Sequence, residues 1–522
     1  MADSVEGMNS ECMNQKKSAL HHHGVDLTTT EGRRFANGLI FVCCVMLAVG
    51  LGIISPVLPI VIIDLFDNDK GAAARFSGYM DTTNNLISML FGSWALCALS
   101  DSFGRRPFML FGMFGYCFSI ILQICAIVSR KLWLIFLSKT VSGVTANFIT
   151  MCFAYVADIS VAGAHRSNGF GALGAAVGVG FVIGPFIGGW MGNHCPSVLG
   201  HSSYIVPFFV AAALQMIVLL IVLFMVPESL PKSSRSPFSL VKINPIFAIK
   251  FLFERPAVRL LCYVVVLFGF ADADLQSTFV YYTSSRFGWQ SDTLGSVYSF
   301  LGVIGAINQG VTIRFALSHL GEQRTILTGF CILGLAHLMY GLSTQSWMMI
   351  TALVVGSTGA VCNPVLTGLL SKTVGECEQG ALQGALSVLG SISGLVAPIL
   401  MTHIFSYFNS PDAPVHLPGA AFFLGAILFF VTAAYAASVF RRREFFGQSD
   451  VSSSLESQQG KDDERAPLLA NPSVNVKVDE VSKGGPGPSS ASCSEESIVE
   501  AEAQAEGQFL VQHTTGAVNQ IA

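Results

Sequence analysis

The chain has 522 residues, of which 52% are apolar and only 12% are charged, and its net charge at pH 7 is −4. Soluble domains carry about 25% charged residues, so this composition excludes an ordinary soluble enzyme or binding domain. The segment from Glu444 onward is net −9 and the rest net +5, which predicts a hydrophobic membrane body followed by an acidic, disordered tail.

Apolar stretches of roughly 20 residues, the length that crosses a bilayer as a helix, recur twelve times. The predicted spans are 35–58, 76–99, 107–129, 132–157, 168–192, 204–226, 258–283, 294–317, 325–343, 346–370, 381–406 and 418–440. The predicted domains are an N-terminal tail (1–34), a six-helix bundle (35–226), a central loop (227–257), a second six-helix bundle (258–440) and a C-terminal tail (441–522). The fold class is therefore an all-α membrane protein.

The Lys and Arg residues near the spans are divided unequally between the two sides. Nineteen would lie on the side of the termini and five on the opposite side. Cytoplasmic loops are enriched in these residues, so both termini and the central loop are expected in the cytoplasm.

Motifs that would indicate other chemistry are missing from the sequence. No Walker loop is present, so ATP is not expected as the energy source. No Cys or His pair has metal-ligand spacing, and no hydrolase motif occurs. We expect no enzyme activity, no metal and no cofactor, with a proton gradient as the energy source.

The loop after the second predicted span has a distinctive spacing of small and charged residues. Gly92 precedes Asp101 by nine residues, and Gly104, Arg105 and Arg106 follow. Asp101 can pair with an Arg at the neighbouring helix end and so hold one conformation closed. A basic loop produced only by the cytoplasmic charge bias is the alternative. The spacing resembles the signature loop between spans 2 and 3 of the major facilitator superfamily.

The fifth predicted span contains a Gly-rich face. Gly184, Pro185, Gly188 and Gly189 lie close together, and small residues of this kind allow close helix packing in lipid. The pattern resembles the antiporter motif of drug/proton exchangers in the same superfamily. A packing face with no effect on transport direction remains the alternative.

Further stretches resemble the tetracycline-efflux-like branch of the superfamily, which includes the hippocampus-abundant-transcript-like transporters. They are Tyr155–Ile159 with Asp158, followed by Arg166, then Val226–Pro231 and Gln379–Ser387. The resemblance implies two pseudo-symmetric six-helix bundles and export or exchange of a small organic solute, often against protons. Paired features of the two halves agree with it, since the loop after span 2 has Gly104-Arg105-Arg106 and the loop after span 8 has Gly321-Glu322-Gln323-Arg324, while Gly184-Pro185 of span 5 corresponds to Ala397-Pro398 of span 11.

Charged residues inside the predicted spans are candidates for proton coupling, because each costs about 2.5–3.5 kcal/mol at a helix centre. Lys139 in span 4 and Asp272 and Asp274 in span 7 fall at similar depths. We expect Lys139 to face one of the two Asp residues across the transport path, because Asp272 and Asp274 point in opposite directions on a helix. A structural ion pair is the alternative.

Other polar residues within the spans could contact solute, although such residues more often bond neighbouring helices. They are Asp81, Asn147, Gln276, Asn308, Gln309 and Asn363. His337 and His403 are weaker candidates for proton relays, because span 9 is usually peripheral in this superfamily and His403 lies near the outer end.

The predicted function is proton-coupled transport of a small organic solute by alternating access, with antiport favoured. A sugar- or vitamin-type uniporter or symporter and a non-transporting receptor or scaffold are the alternatives. Glu464, Leu468 and Leu469 fit an acidic dileucine sorting motif in the tail, so an endolysosomal or plasma membrane and a sorting adaptor are expected. The other expected partners are protons and the lipid bilayer, with no nucleic acid, and the chain is expected to be a monomer.

Overall fold

The computed structural model describes residues 21–22, 25–26, 29–145, 148–160, 164–196, 203–231, 235, 256–372, 379–411 and 413–446. A two-residue antiparallel pair, His21–His22 with Val25–Asp26, precedes the first helix. Every other regular element in these residues is helical. The tails and the central loop predicted from the sequence lie mostly outside the described residues.

The N-terminal half contains six spans. Span 1 comprises Thr30–Ile54 and Leu58–Leu65, span 2 Lys70–Phe91 and Ser93–Phe103, span 3 Arg105–Ser129, span 4 Leu132–Thr145 and Phe148–Ile159, span 5 Ala164–His194 and span 6 Ile205–Phe224. The break in span 1 falls at a turn that includes Pro56, where a proline removes a backbone hydrogen bond and favours a kink.

The C-terminal half repeats this arrangement. Span 7 is Pro256–Phe287, span 8 runs from Ser291–Ile307 through the π-turn Asn308–Thr312 into Ile313–Leu342, span 10 comprises Ser346–Gly359 and Cys362–Ser371, span 11 is Gln379–Asn409 and span 12 is Ala420–Phe446. The helix Ile313–Leu342 is interrupted at Gly321, where φ is 72°. Span 8 therefore ends before Gly321, and span 9 runs from there to Leu342.

Ten helical segments of the described chain are long and apolar enough to cross a membrane. One of them, Ser291–Leu342, has 52 residues and contains spans 8 and 9. Span 7, which packs on spans 11 and 12, adds the twelfth crossing to the set. The predicted all-α membrane fold with twelve helices is confirmed.

The spans define two ends of the bundle. The proximal end carries Thr30 and the end of span 12, and the distal end carries the loops after spans 1 and 7. At the distal end, one buried apolar cluster contains side chains from both halves, including Ile62 and Phe279. At the proximal end, two separate clusters belong to one half each. The halves are therefore packed together distally and have separate cores proximally, as expected for a transporter closed at one end.

Candidate transport cavity and gates

A cavity of about 320 Å³ lies between the two halves. Its walls come from spans 1, 2, 4 and 5 of one half and spans 7, 8 and 10 of the other. Most of the lining is apolar or aromatic, including Phe181, Phe279, Tyr281 and Tyr298. The charged lining groups are Asp81 and Lys139. A largely apolar cavity with a few polar groups is the usual form of a small-molecule site.

Lys139 and Asp81 both line the cavity, and they lie within electrostatic range of each other. The Lys139 side chain is almost completely buried, with 4% of its surface exposed, and Asp81 is half-buried. Both side chains belong to the N-terminal half, on spans 4 and 2. The opposite charge of each residue compensates part of the free-energy cost of removing the other from water.

The expected pairing of Lys139 with Asp272 or Asp274 is therefore wrong for this conformation. Neither Asp272 nor Asp274 is among the described residues that line the cavity. Depth along a helix is the basis of the expectation, and depth does not determine the direction in which a side chain points. Asp81, one of the lesser polar candidates from the sequence, occupies the place beside Lys139.

Asp274 points into the interior of the C-terminal half. Its Oδ1 lies 3.1 Å from Nε2 of His337 on span 9, and both side chains are 0% exposed. Nδ1 of His337 lies 2.8 Å from the Leu333 carbonyl oxygen. Asp272, one turn before Gln276, accepts a 2.5 Å hydrogen bond from the Gln276 amide. Gln276 lines the cavity. Asp272 therefore contacts a residue of the cavity wall, whereas Asp274 of the same helix is buried inside the C-terminal half.

The remaining polar candidates lie in different surroundings. Asn308 is buried in the π-turn of span 8, where its Oδ1 accepts from Thr312 at 2.8 Å. Gln309 is exposed, and Asn363 is half-buried near the interruption of span 10. Asn147 lies outside the described residues. None of the three described residues lines the cavity, although π-turns often occur at functional sites.

Spans 2 and 11 close the distal end on one side of the cavity. The Tyr79 hydroxyl lies 3.0 Å from Nε2 of His403. Thr82 donates to the Leu395 carbonyl oxygen at 2.9 Å, and Arg75 hydrogen-bonds Ser406. We call these contacts the distal gate. They join the two halves, so the cavity cannot open distally until they separate.

Spans 5 and 8 close the opposite side through the predicted Gly-rich motif. A methyl group at Gly184 would lie 2.8 Å from the Gly52 Cα of span 1, and Gly188 packs equally tightly on Ile53. Gly189 faces the other way, where a methyl group would lie 2.9 Å from the Gly295 Cα of span 8. Pro185 lines the cavity. The motif thus serves two contacts, one within its half and one across to the other half.

At the proximal end, the predicted signature loop forms a charge network within the N-terminal half. Arg105 pairs with Asp101 at 2.5 Å and with Asp158 of span 4 at 3.0 Å. Glu228, after span 6, accepts from the Arg105 backbone N–H at 2.8 Å and from the Arg106 backbone N–H at 3.2 Å. A carboxylate at a helix start satisfies free N–H groups and compensates the helix dipole.

Two glycines shape this network. Gly104 has φ of 108°, and a methyl group there would lie 2.6 Å from Glu228 Oε2. Glycine is therefore required at this position both by the backbone conformation and by the available space. Gly92 separates the two helices of span 2. The Arg166 side chain and the dileucine residues Glu464, Leu468 and Leu469 lie outside the described residues.

Three residues that the structure places in specific contacts are given little weight in the sequence prediction, namely His337, His403 and Glu228. His337 ranks low from the sequence because span 9 is peripheral, but a peripheral helix still directs one face into its own half. Glu228 belongs to the stretch Val226–Pro231, which the sequence singles out only by its resemblance to the tetracycline-efflux-like branch. Polar residues in apolar spans are the available signal for both His337 and the gate residue His403. Contacts across the halves depend on tertiary packing.

Known membrane transporters resemble the chain over most of its length. The family model of the Major Facilitator Superfamily matches residues 40–398 and 313–470. The tetracycline resistance protein, class C, of Escherichia coli is 29% identical over 74% of this chain and 92% of its own length. The human hippocampus abundant transcript 1 protein is 29% identical over 64% of this chain and 66% of its own length.

A solved structure shows the same fold at lower identity. The nucleoside transporter NupG superposes with a TM-score of 0.58 at 15% identity, covering 78% of this chain and 99% of that chain. At this identity, the likeness concerns the arrangement of the twelve helices. The cavity between the halves therefore belongs to a fold that solved transporters share.

Proposed function

The chain belongs to the Major Facilitator Superfamily, and on that basis we propose that it exchanges a small organic solute for protons by alternating access. Its relatives and structural neighbours are membrane transporters rather than enzymes. The observation that carries the proposal is the Asp81–Lys139 charge pair in the wall of a cavity closed at the distal gate.

Exchange requires that the solute and the proton bind alternately. A carboxylate in a cavity can do this if it accepts either a proton or a positively charged solute group, because each removes the charge that attracts the other. Asp81 is placed to do this, since it lines the cavity beside Lys139. A solute that occupies Asp81 would therefore displace the proton, and a proton on Asp81 would release the solute.

The glycine motif supports alternating access, because it allows the two halves to close against each other at the distal end. Gly189 allows spans 5 and 8 to approach closely at the distal end. The Arg105 network, by contrast, lies at the proximal end and joins spans 2, 3 and 4 of one half with the segment after span 6. Separation of the distal contacts, with the network keeping its half rigid, would expose the cavity to the other side.

Reconstituted transport tests this proposal. The purified full chain is placed in proteoliposomes with an acidic interior, and uptake of three probes is followed: ethidium as an organic cation, fluorescein as an organic anion and glucose as a neutral sugar. We expect ethidium to accumulate and the accumulation to collapse when the pH gradient is dissipated. Glu31→Gln, which removes an exposed charge at the start of span 1, is the control for Asp81→Asn.

The rival functions give different results. A symporter would accumulate its probe when the exterior, not the interior, is acidic, and this is the outcome if the solute pairs with Lys139 and leaves Asp81 to take the proton. A uniporter would equilibrate a probe without regard to the pH gradient. A receptor or scaffold would move none of the probes and would tolerate loss of both charges.

The site of action is also a proposal. We place the termini and the proximal end in the cytoplasm on the distribution of Lys and Arg. The dileucine sequence ending at Leu469 would direct the transporter to endolysosomal membranes through a sorting adaptor. Substitution of Leu468 and Leu469 by Ala should then move a tagged chain to the cell surface, and an unchanged distribution would contradict use of the motif.

A further inference from the structure

We propose that the buried Asp274–His337 pair is a second proton-binding site, separate from Asp81 in the solute cavity and linked to that cavity through span 7. The inference rests on the proposed proton-coupled function and adds a proton site in the interior of the C-terminal half. Both side chains are 0% exposed within the C-terminal half, and neither of them lines the cavity.

The hydrogen bonds of His337 fix how many protons the pair holds. Nδ1 lies 2.8 Å from the Leu333 carbonyl oxygen, and a carbonyl only accepts, so Nδ1 carries a hydrogen and donates it. Nε2 lies 3.1 Å from Asp274 Oδ1. This contact is attractive only when one proton lies between the two atoms, either on Nε2 or on Oδ1. The conformation therefore represents the proton-loaded state.

Loss of that proton would destabilise the contact. Two lone pairs would then face each other at 3.1 Å, and the buried carboxylate would keep only the hydrogen bond that the Leu275 backbone N–H donates to Oδ1 at 2.5 Å. Asp274 Oδ2 has no hydrogen-bond partner among the described residues, so it offers no compensation. The pair must separate or recover the proton, and this gives the site two structural states.

Groups from spans 7, 9, 10 and 12 surround the pair. Asp272 lies near enough on span 7 to interact with both members. Tyr340 stacks edge-on against the imidazole, with ring centroids 5.0 Å apart. Span 12 contributes apolar surface through Phe429 and through Gly425, which packs directly on the Asp274 carboxylate. Cys362 of span 10 lies within electrostatic range of Asp272.

Span 7 links this pair to the cavity and to the distal end. Asp272 and Gln276 lie on either side of Asp274 in the sequence, and the Asp272 carboxylate accepts a hydrogen bond from the Gln276 amide, which lines the cavity. Further along the same helix, Tyr281 lies beside Ser77 of span 2 in the cavity wall, and the Ser284 carbonyl oxygen accepts from Lys70 at 2.9 Å. A shift of span 7 when the pair separates would act on both the cavity and the closure between the halves.

Infrared spectroscopy of the full chain in lipid nanodiscs tests the site without any solute. Spectra are recorded as the pH is raised, and the bands of carboxyl and imidazole groups are followed. We expect one step in which both kinds of band change together, and its loss in Asp274→Asn. An Asn amide can donate to Nε2, so this variant keeps the contact but removes the exchangeable proton. Glu31→Gln is the control and should keep the step.

An unchanged step in Asp274→Asn would overturn the proposal. If Asp274→Asn is not recovered as a monodisperse protein, His337→Gln is examined by the same criterion. The readout also stays separate from the flux assay. Loss of the step with no pH-driven flux in the wild type would refute the proton-coupled function alone, and pH-driven flux with an unchanged step would refute this site alone.

Coupling to the distal gate is tested by locking it. Tyr79→Cys with His403→Cys places two thiols where the wild-type side chains meet, and a short bis-methanethiosulfonate joins them reversibly. Because coupling between sites is reciprocal, a locked gate should retain the proton more tightly. We expect the infrared midpoint to rise by about one pH unit, a tenfold change in proton affinity, and to return after reduction.

Equal midpoints in the locked and reduced proteins would overturn the coupling. A second locked pair, Thr82→Cys with Leu395→Cys, lies at the next contact along the gate and should give the same rise. The reduced form of each double variant is its own control, since it differs from the locked form only in the crosslink.

Discussion

Each half of the bundle has a glycine with positive φ in a loop at the proximal end, but the residue after that glycine is basic in one half and acidic in the other. Span 3 follows Gly104 and span 9 follows Gly321, and both glycines have positive φ. The residue after each glycine forms an ion pair with the following span. Arg105 of span 3 pairs with Asp158 of span 4, and Glu322 of span 9 pairs with Lys372 at the end of span 10, at 2.5 Å. The order of acid and base is reversed between the halves.

The surroundings of the two pairs differ as well. The Arg105 side chain is 11% exposed and belongs to a network with Asp101 and Glu228, whereas the Lys372 side chain is 67% exposed. Exposed ion pairs contribute little, about 0–1 kcal/mol, because water and salt screen them. The repeat therefore conserves the backbone path, while only the N-terminal half uses the charges to hold several helices together.

Removal of the cavity cation Lys139, which belongs to the N-terminal half, should have the largest effect on stability and on uptake. Lys139→Ala leaves the half-buried Asp81 without the cation within its electrostatic range, and loss of one partner of a charge pair removed from water is destabilising. We expect a lower unfolding temperature and loss of pH-driven ethidium uptake. The double variant Lys139→Ala/Asp81→Asn should recover the unfolding temperature but not the uptake. Recovery of uptake in the double variant would show that the pair is structural.

A methyl group between spans 5 and 8 should have the next largest effect. Gly189→Ala adds an atom 2.9 Å from the Gly295 Cα, so the distal end cannot close fully. We expect crosslinking of the Tyr79→Cys/His403→Cys pair to fall by about tenfold, an effect of about 1.4 kcal/mol on closure. Gly178→Ala is the matched control on the same helix, because no atom lies within 4 Å of the added methyl. Equal crosslinking in the two variants would contradict the close contact.

Substitution in the proximal network should reduce transport more moderately. Arg105→Lys keeps the charge but cannot contact Asp101 and Asp158 at once with a planar fork. We expect the rate of pH-driven uptake to fall by about fivefold, equivalent to about 1 kcal/mol in the barrier. A wild-type rate in Arg105→Lys would mean that the network does not limit the conformational change.

The smallest effect is expected in the C-terminal half. Lys372→Ala removes an exposed partner of Glu322, so the uptake rate should stay within about twofold of the wild type and the free energy of unfolding within about 1 kcal/mol. Exchange of the charges, Glu322→Arg with Lys372→Asp, should also be tolerated, and it would give this half the charge order of the other. A loss as large as that of Arg105→Lys would remove the distinction between the halves.

The sequence predicted the fold more completely than the site. Apolar stretches of spanning length gave all twelve crossings, because a bilayer imposes the length of each helix. The glycine and Arg105 motifs were identified by their resemblance to motifs of the superfamily, and both lie at close helix contacts. The pairing of Lys139 with Asp274 failed, because the rotation of span 7 about its axis is set by packing with spans 11 and 12, and it directs Asp274 toward His337 of span 9.

The most direct test of the account is simultaneous measurement of ethidium entry and proton exit in the same acid-loaded proteoliposomes, with a pH-sensitive dye inside. The account predicts that wild-type vesicles lose protons as ethidium enters, and that Asp81→Asn abolishes both movements while Glu31→Gln retains both. Ethidium entry without proton exit, or coupled movement that persists in Asp81→Asn, would contradict proton exchange at the cavity.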